Sequence, residues 1–243
     1  MKHATPASLA SKWKKAFPKK EEDASTAVKN LPAKNDEPET AGPALALIRK
    51  EPVTFRLSRL ENPEDFERMR FVVKACARTA DVPFKTVLHV EQTRTGSRLV
   101  ACDGLRLHLA EISKKIKSGD YKPRVAKDCV SLGVPLEGVR FPAWAKAIPE
   151  KTEKRGVINL EKTGMGKDRK ETEKLSIVFN SFVRQTGEPV NLRYLEDLTK
   201  REWTIYCQGE KQKAIVLKEG HGKMEAPDVK SPLAVILPIP KAA

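Results

Sequence analysis

Apolar and polar residues alternate most regularly in the stretch 98–111, RLVACDGLRLHLAE. Leu105, Leu107 and Leu109 alternate with Arg106, His108 and Ala110, a period of two that puts the leucines on one face of a strand. The apolar run Leu99-Val100-Ala101 predicts a preceding strand. Cys102-Asp103-Gly104 predicts the turn between them, because Asp can bond the local backbone and Gly can take positive φ. Similar runs predict strands over 53–61, 86–92, 156–160, 175–183, 203–208, 213–218 and 233–239, with short candidates around Val130 and Val139. Pro238 and Pro240 suit an edge or terminal strand.

The stretch 62–79 has a different period. Asn62 is a capping residue, Pro63 suits the first helical position, and Glu64 and Asp65 complement the positive helix end. Phe66, Met69, Val72, Val73 and Cys76 form an apolar face, while Arg70, Lys74 and Arg78 repeat every four residues on another. Asp81-Val82-Pro83 ends the pattern. A second, short helix is predicted over 192–200, after the turn Gly187-Glu188-Pro189-Val190-Asn191.

Composition narrows the function. Apolar residues make up 40% of the 243, enough for a core, and aromatics only 6%, so the packing is aliphatic. No apolar run approaches the ~20 residues of a membrane span, and the N-terminus lacks a secretory apolar segment, which predicts a cytoplasmic protein without a membrane partner. Cys76, Cys102, Cys129 and Cys207 form no C-x-x-C pair and sit in apolar contexts, as buried reduced thiols do. His3, His89, His108 and His221 are dispersed, so no metal is expected. No G-x-S-x-G occurs, and Gly164-Met165-Gly166-Lys167 lacks the spacing and the Ser/Thr of a phosphate loop. Asp103 reads as a turn-capping carboxylate. The expectation is a protein without catalytic residues or cofactor.

The formal net charge is +14, which suggests a polyanionic partner. Residues 1–52 hold 10 Lys/Arg and 7 Asp/Glu, so most of the excess lies beyond them. Their composition predicts a disordered basic tail. Within it, Trp13 and Phe17 among lysines could form a short amphipathic helix, and 44–48 is a short apolar run.

Three stretches together resemble the bacterial sliding clamp, the β subunit of DNA polymerase III. In that family A-T-D-G-H-R-L, F-P-x-Y-x-x-V-L-P and V-V-M-P-M meet around one peptide-binding pocket. Here they read Ala101-Cys-Asp-Gly-Leu-Arg-Leu107, Phe141-Pro-Ala-Trp-Ala-Lys-Ala-Ile-Pro149 and Val235-Ile-Leu-Pro-Ile239, in the same order. Val190-Asn-Leu-Arg-Tyr-Leu-Glu-Asp-Leu198 is similar to a fourth family motif. The resemblance covers about 53–111 and 139–240. The family's helices in 112–140 and 161–174 have no counterpart in the pattern, and 161–174 reads as a charged loop.

The resemblance implies an α+β, DNA-clamp-like fold: antiparallel sheets with helices on one face, built from truncated repeats. It implies a first shortened module over 53–140, a connector over 141–156 and a second module over 157–243. It also implies a peptide-binding pocket walled by Phe84, Gly104, Leu105, Leu107, Pro142, Ala147, Val235 and Leu237. Arg106 and Lys146 fall where the family has arginines and are expected at the rim, heads in water. Leu105, Cys102 and Pro240 depart from the family's His, Thr and Arg. Arg70, Lys74 and Arg78 would face DNA. Implied partners are double-stranded DNA, replication or repair proteins carrying short peptides, and further copies in a trimeric or hexameric ring. Two alternatives stay open: a clamp-derived adaptor that binds such peptides without a ring, and a basic nucleic-acid-binding protein with only ancestral clamp likeness.

Overall fold

The computed structural model describes residues 53–159, 171–198, 202–208, 214–220 and 231–239. The predicted tail, its Trp13 and Phe17, the 44–48 run, residues 161–170 of the predicted 161–174 loop and Pro240 lie outside them. The described chain runs β1 (Phe55–Ser58), α1 (Pro63–Val73), β2 (Leu88–Gln92), β3 (Ser97–Cys102), β4 (Arg106–Ile112), β5 (Gly119–Tyr121), β6 (Pro123–Val125), β7 (Cys129–Leu132), β8 (Glu153–Asn159), α2 (Glu171–Thr186), α3 (Leu192–Glu196), β9 (Glu202–Cys207), β10 (Ile215–Glu219) and β11 (Leu233–Ile236). An eight-stranded antiparallel sheet has the order β5-β2-β3-β4-β11-β10-β9-β8, and a three-stranded sheet has the order β1-β7-β6.

Period-two alternation sorts the large sheet into two apolar faces. Leu99 and Ala101 of β3, Ala110 and Ile112 of β4, Ala234 and Ile236 of β11, Ile215 and Leu217 of β10, and Trp203 and Ile205 of β9 point one way, into the main core. The helices pack there. Phe66, Met69 and Val72 of α1 are fully buried, Phe71 lies 5.2 Å from the Trp203 ring, and Phe182 of α2 and Leu195 of α3 complete the layer. The alternate residues Val100, Leu107, Leu109, Tyr206, Val216, Leu233 and Val235 form a second cluster on the opposite face. β1 and β7 of the small sheet add Leu57, Val130 and Leu132 to the main core beside α1.

Several local expectations need correction. The helix from Pro63 stops at Val73 rather than near Thr79: Ala75 and Cys76 donate to Val72 and Val73, three residues back, and the Ala77 N–H donates to Lys85 at 2.7 Å. Arg78 is therefore off the helix, and no single helical stripe carries the three cations. Asn62 precedes the helix but its side chain caps nothing. Asp65, instead of only facing the helix end, is buried and accepts from the Ser113 backbone at 3.1 Å, tying α1 to the end of β4.

The predicted strand over 175–183, and the last four residues of the predicted 161–174 loop, are part of helix α2, and this is the helix that the pattern lacked. Val178 and Phe182 are buried four residues apart and Phe179 packs beside them, a helical spacing that the adjacent Val178-Phe179 pair disguises as an apolar strand run. In 112–140 three short strands form, and Val139 lies in none of them. Strand β2 starts at Leu88, because Pro83–Thr86 is a 3-10 turn. β11 is an interior strand between β4 and β10 and ends at Ile236, before Pro238. A Cβ at Gly96 would lie 2.0 Å from the Ile112 carbonyl oxygen, so only glycine allows the β2–β3 turn to approach the end of β4 this closely.

Candidate functional site

The turn after β3 is built as its sequence predicts. Gly104 has φ +95°, a region that side chains disfavour. The Asp103 Oδ1 accepts from the Leu105 and Arg106 backbones at 2.9 and 3.0 Å. The Leu237 N–H donates to the Leu105 carbonyl at 2.9 Å, which extends the β4–β11 pairing past the end of β11. In the ladder Leu107 faces Cys102 on one side and Val235 on the other, and Val235 faces Val216. Cys102, Leu107 and Val235 of this row line the apolar floor of a hollow.

The connector supplies the wall. Phe141, Trp144 and Ile148 pack on the second apolar cluster, and Trp144–Ala147 forms a 3-10 turn. Two side chains of β2 that alternate away from the main core hold it. His89 stacks on Phe141 at 4.8 Å between ring centroids, and Glu91 accepts from the Trp144 indole N–H at 2.8 Å. Arg98 lies 5.5 Å above the Trp144 ring and pairs with Glu111 at 2.8 Å. His89 is itself fixed by Asp120 at 2.7 Å.

The hollow measures about 970 Å³. The structure brings eight of the ten expected pocket residues to it: Gly104, Leu105, Arg106, Leu107, Lys146, Ala147, Val235 and Leu237. Leu107 and Val235 are buried in the floor, whereas Leu105 and Leu237 are 57% and 38% exposed and so present free apolar surface. Phe84 and Pro142 do not line it; Phe84 instead meets Phe141 edge-on at 6.1 Å and buttresses the connector. Ile148, Ala214 and Gln208 line the hollow and were not expected to. Ile148 lies within the connector motif. Ala214 precedes a continuous apolar run, Ile215-Val216-Leu217, in which sequence alone cannot separate the two faces.

Arg106 borders the hollow, but its guanidinium is not the water-exposed rim cation expected of it. It alternates with Leu107, so its side chain leaves the sheet on the helix side. There its guanidinium pairs with Asp103 at 3.0 Å and with Asp197, donates to the Lys74 carbonyl at 2.6 Å and lies 4.6 Å from the Tyr194 ring centroid. The ring and carboxylates hold it in place. Lys146 is exposed, as expected at a rim.

Arg70, Lys74 and Arg78 do converge, although not as a helical stripe. They border one cleft of about 740 Å³ on the helix side, together with Arg106, Lys122 and Asp197. The Lys74 ammonium donates to the Asp197 carbonyl at 3.1 Å. Burial, and then the charge of Arg70, hold its pKa below the usual lysine value. Among the described residues no group of His, Cys, Asp and Glu could hold a metal, and no helix is long and apolar enough to cross a membrane.

Compared by sequence, the chain matches no protein-family profile and no curated protein. Compared by structure, it is similar to a putative DNA polymerase III β subunit from Eubacterium rectale, with a TM-score of 0.51 at 13% identity over 87% of this chain and 72% of that one. A DNA polymerase III β subunit from Thermotoga maritima aligns with a TM-score of 0.49 at 15% identity over 87% and 70% of the two chains. A DNA polymerase sliding clamp from Pseudomonas aeruginosa gives 0.49 at 12% over 78% and 68%. The fold is therefore DNA-clamp-like, in a chain shortened relative to the Eubacterium rectale protein.

His108, two residues from Arg106 and on the same helix side, couples the stability of the fold to pH. It is fully buried, stacks on Phe71 at 4.3 Å and donates through Nδ1 to the Phe71 carbonyl at 2.9 Å. Burial, with repulsion from Arg106 and Lys74 outweighing the Phe71 bond, lowers its pKa from 6.5 to about 3. As pH falls below 6.5 the unfolded chain takes up a proton that the folded chain refuses, so stability falls by up to about 1.4 kcal/mol per pH unit. The loss ends near pH 3, where the folded form is protonated too. Urea unfolding across this window is expected to show that slope. In His108→Phe, which keeps the stack but cannot titrate, the slope is expected to flatten by about one proton while stability at neutral pH drops.

Proposed function

We propose that this chain is a sliding-clamp-like processivity or recruitment factor. It holds double-stranded DNA against its basic helix side and offers the apolar hollow on the opposite side to short peptides of replication or repair proteins. It acts in the cytoplasm, without covalent chemistry. The 53–140 and 157–243 segments are two shortened modules joined by the connector. The observation that carries the reading is the meeting of three distant stretches, 104–107, 145–149 and 235–237, in one apolar hollow. Mostly aliphatic walls with a few polar groups suit a peptide ligand. Each leucine or aromatic side chain buried there would contribute roughly 1.5–3 kcal/mol before ordering costs. Two or three such anchors give a site on the order of micromolar, suited to exchanging partners.

A fluorescent peptide with a leucine followed closely by an aromatic residue is expected to bind. Leu237→Asp puts a charge on a half-exposed wall residue, so the fold should survive while affinity falls at least tenfold, because the charge would lose its water beneath the guest. Arg70→Glu, on the other side of the sheet, is expected to leave peptide affinity unchanged. Normal binding by Leu237→Asp would remove the hollow from the proposal.

DNA binding is expected to ignore sequence, with log K falling by about 0.9 for each phosphate neutralised per tenfold rise in salt. Reversing Arg70, Lys74 and Arg78 together should flatten that slope in a fluorescence-anisotropy titration, and an unchanged slope would place the DNA contact elsewhere.

We further propose that copies close into a trimeric or hexameric ring. Among the described residues β8 is an outer strand of the eight-stranded sheet, and an outer strand is a ready pairing edge. Native mass spectrometry or light scattering is expected to give a trimer or hexamer. A monomer would leave the ringless adaptor as the surviving form of the proposal.

A further inference from the structure

The cleft on the helix side is more than a stretch of basic surface. Its cations come from separate parts of the chain: Arg70 from the last turn of α1, Lys74 from the helix cap, Arg78 from the following loop, Arg106 from β4 and Lys122 from the β5–β6 corner. Asp197 is the one acidic residue among the described lining residues. Its carboxylate is taken by Arg106 and its carbonyl by Lys74. Among the described residues, Arg70, Arg78 and Lys122 have no carboxylate within ion-pair distance. The rest of the wall is largely apolar, with Val73, Pro123 and Val125, and such walls focus a field set up by nearby charges. No aromatic ring is among the described residues that line the cleft, so these offer no platform on which a base could stack.

From this geometry we infer that the cleft is a binding site for clustered phosphates, a compact anion carrying two or more negative charges. Lys122 completes the site. The inference builds on the reading of this side as polyanion-binding and narrows it. Cations converging on a concave site favour charge concentrated at one point, whereas a duplex backbone presents its charge along a line. Such phosphates have two sources, a free polyphosphate or the phosphorylated end of a nucleic-acid strand. Burial, and after it the charge of Arg70, hold the Lys74 pKa down; a seated anion would offset the repulsion between the two cations.

The test uses the full chain with inorganic pyrophosphate, followed by calorimetry and by the rise in melting temperature. Saturable binding is expected. Lys122→Glu and Arg78→Glu, both at exposed positions, are each expected to weaken it about tenfold or more. Lys122→Arg should retain it, and Lys146→Glu, at the hollow across the sheet, should leave it unchanged. Absence of pyrophosphate binding, or wild-type affinity in both Lys122→Glu and Arg78→Glu, would overturn the inference. Duplex oligonucleotides with phosphorylated or hydroxyl ends then separate the sources. Preference for the phosphorylated ends, lost in Lys122→Glu, assigns the site to nucleic-acid ends. Equal binding of both, with pyrophosphate affinity intact, assigns it to a free polyphosphate. Linear duplex with hydroxyl ends tests the DNA proposal separately: if it fails to bind while pyrophosphate binds, the DNA reading falls and the cleft stands.

Discussion

The pairing of β4 with β11 holds the architecture together. Leu109 opposes Leu233 and Leu107 opposes Val235, residues more than a hundred positions apart in the chain. This ladder joins the strands of the first half, β5-β2-β3-β4, to those of the second, β11-β10-β9-β8, in a single sheet. Closing so long a loop costs conformational entropy that no local contact returns. What offsets the cost is that the joined sheet buries both faces at the seam: Ala234 and Ile236 in the main core, Leu233 and Val235 in the second cluster.

The same seam explains why the two candidate surfaces lie back to back. Arg106 and Leu107 are adjacent in sequence and on opposite faces of the sheet, the first in the ion-pair network beside the basic cleft and the second in the floor of the apolar hollow. A sheet one residue thick thus separates a charged surface from an aliphatic one, with neither desolvating the other. Asp103 serves both sides at once, since one carboxylate oxygen orders the turn at the hollow's rim and the other holds the Arg106 guanidinium.

Much of this was legible in the sequence, because it rests on local signals. The Asp-Gly corner, the leucine alternation of β4, the start of α1 at Pro63 and the apolar connector each declare themselves within a few residues. The failures have physical causes. Helix α2 carries Val178 and Phe179 side by side, and a run of adjacent apolar residues reads equally as a strand. The early end of α1 depends on a bond from Ala77 to Lys85, a tertiary contact that no local period reports. The orientation of Arg106 was in the alternation all along: it shares parity with His108 and Ala110, which face the helices, rather than with the leucines. Lys122 could not have been placed in the cleft from sequence, because its position follows from three short strands without a strong pattern.

The connector is attached to the sheet differently from every strand beside it. Within 141–149 the described backbone bonds run from Lys146 to Ala143 and from Ile148 to Ala145, inside the segment. Its hold on the sheet comes from side chains: a ring stacked on His89, an indole bonded to Glu91 and aliphatic packing by Ile148. A segment tied down in this way can lift as a local event, at far less than the free energy of global unfolding. The strands of the floor would stay paired while the wall moved. The hollow therefore has one side held by backbone pairing and one held by side chains; if it takes a peptide as proposed, guests of different bulk could be admitted by shifting the wall alone. The breathing of that wall, rather than the stability of the fold, would set how fast a guest enters and leaves.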